Sequence, residues 1–156
     1  MRSCDCCCSK EQPRSRVACP DCHRPGPTVP DETLDALLTP RARKLRASGP
    51  YHFCDTADCP TVYYSADGQS RFGKGDLTVR VGSKETDAPR PLCYCLGHTY
   101  ESIRDEWART GESASLRAIE NAIKEGTCHC RTTNPRGACC LPEVRRFVAG
   151  LKEGNA

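Results

Sequence analysis

Apolar side chains along this chain are spaced in two different ways. Between Tyr51 and Val81 they fall in short runs and alternations. Tyr51-His52-Phe53 and Thr61-Val62-Tyr63-Tyr64 are rich in aromatic and β-branched residues, and Leu77, Val79 and Val81 alternate with Thr78, Arg80 and Gly82. A period of two puts every second side chain on one face, as in a half-buried strand. Asp67-Gly68 is a turn signal. This stretch therefore predicts a small antiparallel sheet.

Beyond Cys95 the spacing is helical. Thr99 is placed to cap a helix carrying Ile103 and Trp107 and ending near Gly111. Ser113 or Ser115 caps a second, with Leu116, Ile119 and Ile123 on one face and Gly126 at its end. Pro142 begins a third, with Val144, Phe147, Val148 and Leu151. Upstream of the sheet, Asp31 suits the cap of a short helix bearing Leu34, Leu37 and Leu38. Thr39-Pro40 restarts a basic helical turn through Leu45, with proline at the first helical position. Val17 to Pro30 reads as loop because of its prolines. The predicted organisation is α+β: a tail over 1–16, an antiparallel β lobe with short helices over 17–88, and a helical lobe over 89–152, joined through the charged, proline-bearing stretch Lys84 to Pro91.

Composition shows what such a fold must overcome. Of 156 residues 37% are hydrophobic, but that figure includes 14 cysteines. Ordering each residue costs roughly 1–2 kcal/mol, and so few large apolar side chains call for covalent or metal staples. Cysteine this dense commonly marks a secreted disulfide scaffold. Here the start, Met1-Arg2-Ser3-Cys4, has no apolar run resembling a signal peptide. Cys93-x-Cys95 and Cys128-x-Cys130 are too close for easy pairing within each pair, and Cys19-x2-Cys22 reads as a metal knuckle. Metals in a reducing, cytoplasmic setting are the expectation. No stretch approaches the ~18 apolar residues of a membrane span. Charge is balanced, 23 basic against 20 acidic residues. The run Arg41 to Arg46 reads as a solvated face, so neither membrane insertion nor nucleic-acid binding is expected.

Cys19 and Cys22 lie in loop-like sequence, and Cys54 and Cys59 flank a turn between two predicted strands. Two knuckles of two thiolates each close a tetrahedral site with no open position, suited to structural Zn2+ rather than catalysis. Buried free thiols or a redox pair are the alternative. His23 and His52 are nearby imidazoles, read as surface or supporting residues. A second constellation is Cys93, Cys95, Cys130 and Cys140, with Cys139 adjacent. Four cysteine thiolates commonly hold an iron–sulfur cluster, and the turn-rich loop Asn134-Pro135-Arg136-Gly137 offers backbone N–H groups to sulfur. Spacing alone does not separate iron from zinc here.

Several stretches together resemble the N-terminal part of CopZ-type copper chaperones. They are Cys54-x4-Cys59 with Val62-Tyr63-Tyr64, Leu77-x-Val79-Arg80-Val81-Gly82-x-Lys84-Glu85, Cys93-Tyr94-Cys95, and Cys130-x2-Thr133-Asn134-Pro135-x-Gly137-x-Cys139-Cys140. The resemblance spans about residues 17–150. It implies zinc at Cys19, Cys22, Cys54 and Cys59 and a [2Fe-2S] cluster at Cys93, Cys95, Cys130 and Cys140, with Cys139 open as a substitute for Cys140. It also implies that the helical lobe is similar to the bacterioferritin-associated ferredoxin fold, with helix–turn–helix elements around the cluster. Full chaperones of this type continue into a heavy-metal domain with a Met-x-Cys-x2-Cys loop. No such loop occurs in these residues, so the resemblance is to a standalone form and copper transfer by that domain is not carried over.

Six cysteines remain: Cys4, Cys6, Cys7, Cys8, Cys128 and Cys139. The first four form a candidate soft-metal tail for Cu(I) or Hg(II), the alternative being a tail that binds thiophilic metal opportunistically or oxidises. With both centres filled the formal charge of +3 becomes about −1. The expected function is a non-enzymatic, metal-handling iron–sulfur and zinc protein accessory to copper or other thiophilic-metal homeostasis. Its cluster would be a one-electron centre, and its partner a metal-transport ATPase or a redox protein. The alternative is a small ferredoxin-like electron carrier, or a redox or iron sensor, with no chaperone role.

Overall fold

The computed structural model describes residues 15–154. In chain order the first lobe contains β1 (Arg16–Ala18), β2 (Pro25–Val29), α1 (Asp31–Leu37), α2 (Pro40–Leu45), β3 (Tyr51–Phe53), β4 (Thr61–Ser65) and β5 (Arg71–Gly73). The strands form one antiparallel sheet in the order β1-β2-β3-β4-β5. Every residue of β3 and β4 is buried, because both faces are covered. Val62 and Tyr63 join Val29, Leu34, Leu38 and Phe53 in the main core, whereas Tyr64 packs against cysteines.

Two expectations about strands need correction. The segment from Val17 to Pro30 is not loop throughout but carries the β1–β2 hairpin. Pro25 and Pro27 bring no N–H, but they alternate with Gly26. Its N–H is taken by the Tyr64 hydroxyl (3.0 Å) and its carbonyl meets His52 Nδ1 (3.1 Å). Any Cβ at Gly26 would collide with the Phe53 carbonyl and the Tyr64 hydroxyl. Conversely, Leu77 to Val81 is not a strand. Leu77 and Val81 are buried as the alternation requires, but the backbone is satisfied elsewhere. The Thr78 N–H reaches the Leu37 carbonyl at 2.8 Å, and the Arg80 carbonyl accepts from the Tyr94 hydroxyl at 2.7 Å. Only Leu77 makes a bridge, to Leu38. Single-turn 3-10 helices, Lys74–Asp76 and Gly82–Lys84, flank the segment.

The second lobe opens with the hairpin β6 (Pro91–Cys93) and β7 (His98–Thr99). It continues through α3 (Tyr100–Thr110), α4 (Ala114–Glu125), the single turn α5 (Cys130–Thr133) and α6 (Leu141–Lys152). Its boundaries follow the predicted caps. The Thr99 hydroxyl accepts from Ser102 N–H and Ser102 Oγ accepts from Thr99 N–H, a reciprocal capping box. Gly111 and Gly126 close α3 and α4 in the left-handed region at φ 69° and 71°. Asp31 proves to be the first residue of α1, after Pro30, where its charge suits the helix dipole. Ile103, Ile119, Val144 and Val148 pack with Leu92 and the buried thiols.

The lobes meet through α5 and the loop between α5 and α6. Thr33 Oγ1 donates to the Arg131 carbonyl at 2.5 Å and the Tyr63 hydroxyl to the Pro135 carbonyl at 2.6 Å. Arg136 lies 5.3 Å from the Phe53 ring centroid and pairs with Asp55 and Glu143. Among the described residues no helix is long and apolar enough to cross a membrane.

Candidate metal centres

The first centre is built from two turns. At the tip of the β1–β2 hairpin, His23 N–H donates to the Cys19 carbonyl and Cys19 N–H to the Arg24 carbonyl, both at 2.9 Å. His23 closes this knuckle at φ 62°, a left-handed conformation that lets the chain reverse while both thiols face inward. Cys54 and Cys59 bracket the turn between β3 and β4, where Cys59 N–H donates to the Thr56 carbonyl at 3.2 Å. All four Sγ atoms lie within 4.8 Å of one another, the one such group of three or more candidate ligands among the described residues. Cys19 and Cys59 Sγ are 3.9 Å apart and Cys22 and Cys54 Sγ 3.6 Å. A tetrahedron with metal–sulfur bonds of about 2.3 Å spaces its sulfurs about 3.8 Å apart, so the donor set fits zinc.

Charge is arranged around these thiols. Burial disfavours ionisation of Cys22, but hydrogen bonds with Thr56 Oγ1 (3.2 Å), the Arg24 backbone, Cys54 and Cys19 outweigh it and bring the thiol down to about 6. Burial pushes Cys59 up to about 12 and also raises Cys54. A buried cation faces them. Lys84, 5% exposed, donates from Nζ to the Thr56 carbonyl (2.6 Å) and the Cys59 carbonyl (3.1 Å). Spacing gave no sign of this lysine, which lies in the stretch expected to be a linker. The one signal was its place in the Val81-Gly82-x-Lys84 motif. His52 is buried, stacks on Tyr64 at 5.6 Å and bonds Gly26, and His23 is exposed. Neither belongs to the four-thiol group.

The second set of cysteines converges on the helical lobe. Cys93 ends β6, Cys95 follows on the hairpin tip, Cys130 starts α5 and Cys140 precedes α6. Cys95 and Cys130 Sγ are 3.6 Å apart. The Cys140 thiol interacts with those of Cys130 and Cys93, and Cys139 interacts with Cys130. A small pocket is lined by all five thiols together with Cys128, and by Leu96, Ile119 and Ile123. Hydrogen bonds from Cys130 and Cys93 pull the Cys140 thiol down to about 4. Contact with Cys130, against burial, brings Cys95 to about 6. The same contacts push Cys93 and Cys130 upward. Each ionised thiol thus leans on a protonated neighbour, and further ionisation needs a cation in place of the protons.

The loop from Cys130 to Cys140 is shaped from within. Asn134 Oδ1 accepts from Arg136 N–H (3.1 Å), its Nδ2 donates to the Ala138 carbonyl (2.8 Å), and Gly137 turns at φ 62°. A Cβ at Gly137 would strike Pro30 and Thr33, so the loop lies flush on the first lobe. Cys4, Cys6, Cys7 and Cys8 lie outside the described residues.

Residues 16–78 match the zinc binding domain family of CopZ. The copper chaperone CopZ of Archaeoglobus fulgidus is 32% identical over 140 residues, covering 88% of this chain and 66% of that protein. The X-ray structure of the Archaeoglobus fulgidus CopZ N-terminal domain superposes with a TM-score of 0.68 at 32% identity, over 84% of this chain and 97% of that one. The fold thus finds its counterpart in one known architecture, and the chain belongs to the CopZ family.

Proposed function

We propose that the protein handles thiophilic metal in copper homeostasis, with a structural zinc at Cys19, Cys22, Cys54 and Cys59 and a [2Fe-2S] cluster at Cys93, Cys95, Cys130 and Cys140. The observation that carries this reading is the convergence of the second cysteine set in one pocket of the helical lobe. These thiols touch in a chain of pairs, whereas the first four form a single compact knot. Such a spread suits a group larger than one ion. Once bound, a cluster of this kind supplies one-electron redox chemistry.

The chain's own residues divide the work. Ile119, Ile123 and Leu96 line the pocket and limit water. The Asn134 turn fixes the loop that carries Cys130 and Cys140. Lys84 offsets the charge of the zinc thiolates. The tail thiols Cys4, Cys6, Cys7 and Cys8 are the candidate Cu(I) ligands, soft donors with little geometric demand. A reducing centre on the same chain would favour copper in the Cu(I) form such thiols prefer. A metal-transport ATPase is the proposed recipient, consistent with the copper chaperone it resembles. The second reading is a plain electron carrier, favoured by Leu96, 41% exposed next to Cys95, as an apolar contact for a redox partner.

Anaerobic purification with metal analysis and EPR of the reduced protein tests the assignment. Two irons and one zinc per chain with a rhombic S = 1/2 signal are expected; zinc without iron would overturn the cluster. Replacing the four tail cysteines with serine and titrating Cu(I) against a competing chelator tests the tail. Lost high-affinity sites are expected, and unchanged stoichiometry refutes the tail as a copper site.

A further inference from the structure

Cys95 is the most exposed of the four thiols assigned to the cluster: Cys93, Cys130 and Cys140 are buried, and Cys95 is half-buried. Two donors lie against its sulfur. His129 N–H reaches Cys95 Sγ at 3.0 Å, and Thr133 Oγ1 lies 3.2 Å from it. The hydroxyl has a single proton and a second acceptor, the His129 carbonyl at 2.8 Å. That carbonyl is oversupplied. It also receives the N–H groups of Thr132 and Thr133, both at 3.1 Å, and Thr132 Oγ1 at 3.2 Å. Four donors thus compete for two lone pairs. While Cys95 is a thiol, either atom can be the donor in its contact with Thr133 Oγ1. Once it is a metal-bound thiolate it only accepts. The Thr133 proton then turns to sulfur at little cost, because the carbonyl keeps three other donors.

We propose that Thr133 is a positioning residue for the redox centre: its hydroxyl, acting with His129 N–H through Cys95 Sγ, raises the reduction potential of the Cys93, Cys95, Cys130 and Cys140 cluster. The inference rests on the iron–sulfur reading above. On reduction the centre gains one electron from a one-electron donor. No covalent bond forms or breaks, and the hydroxyl proton stays on Thr133. Added negative charge on the ligand sulfur strengthens both hydrogen bonds, so the donors stabilise the reduced state more than the oxidised one. His129 N–H is fixed by the backbone, so the hydroxyl is the part that substitution can remove.

The test is an EPR-monitored titration of anaerobically purified full chain with dithionite and mediators. Thr133→Val keeps the shape and removes the donor; Thr133→Ser keeps the donor. Removing a hydrogen bond to a charged acceptor should disfavour reduction by about tenfold, which is 59 mV for a one-electron couple. Thr133→Ser should titrate with the wild type. Should Thr133→Val fail to retain iron, Thr133→Ala provides the same comparison without the added methyl. Variants that hold wild-type iron and give the wild-type midpoint overturn the role of Thr133 and leave the cluster standing. A wild-type protein with neither iron nor an S = 1/2 signal overturns the cluster reading itself.

Discussion

Replacing Lys84 with methionine removes a buried cation while keeping most of its volume, and the consequence can be worked out bond by bond. Lys84 Nζ holds the Thr56 and Cys59 carbonyls. The Thr56 carbonyl keeps a second donor, Cys59 N–H. Its loss therefore costs about 0.5–1.5 kcal/mol, the net worth of an ordinary hydrogen bond. The Cys59 carbonyl loses its ammonium donor in a buried turn, at about 1–3 kcal/mol. Relief of the buried charge returns part of this, and a net cost of about 1.5–3 kcal/mol is expected. Both carbonyls belong to the turn that presents Cys54 and Cys59, so the cost falls on metal binding. Each 1.4 kcal/mol is tenfold in affinity, and losses of 10–100-fold are usual for groups that orient metal ligands. Zinc competition with a chromophoric chelator should show K84M binding roughly ten- to a hundredfold more weakly, and Lys84→Arg retaining most of the affinity. Wild-type affinity in K84M refutes the reasoning. Equal weakness in both variants would mean that shape rather than the cation supports the turn.

Three other perturbations have defined outcomes. Excess chelator should unfold the first lobe, because zinc binding worth about 10–16 kcal/mol in small finger domains exceeds what its thin core supplies; an unchanged near-UV signal from buried Tyr51, Tyr63 and Tyr64 would contradict this. Gly137→Ala adds a Cβ against Pro30 and Thr33 at φ 62°. It should cost at least ~2 kcal/mol of strain and overpacking, read as a lower melting temperature and lower iron retention. Glu101 is held down at about 2: burial opposes its ionisation, but the Arg90 N–H (2.9 Å) and guanidinium (2.7 Å) outweigh that. A depressed carboxylate stabilises fully above its unfolded value of 4.5 and loses that stabilisation as pH falls toward 2. The stability gap between wild type and Glu101→Gln should therefore shrink across that window, while acid loss of metal, common to both, cancels; a constant gap would remove Glu101 from the account.

The sequence by itself determined what local chemistry and spacing control. Thr99 and Ser113 as caps, Gly111 and Gly126 as left-handed stops, and Thr39-Pro40 at a helix start each depend on a few neighbouring residues, and each is found where spacing placed it. The four-thiol group is similarly legible, because two short knuckles in turn-forming sequence have few ways to close except on each other. Tertiary structure decided whatever depends on a distant partner. Leu77 to Val81 has a strand's alternation, but a strand needs a neighbour for its N–H and C=O groups, and here Leu37 and Tyr94 took them. Pro25 and Pro27 argue against a strand until Gly26, stripped of a side chain, lets the Tyr64 hydroxyl supply the missing partner. Lys84 and Thr133 stand in motif stretches, but spacing assigns neither of them a role. One matters because its ammonium lies 2.6 Å from a carbonyl 28 residues away, the other because its hydroxyl lies 3.2 Å from a sulfur 38 residues away. Such pairs arise only when the chain packs, so local spacing recovers the capped helices and folding alone supplies the charges and donors around the thiols.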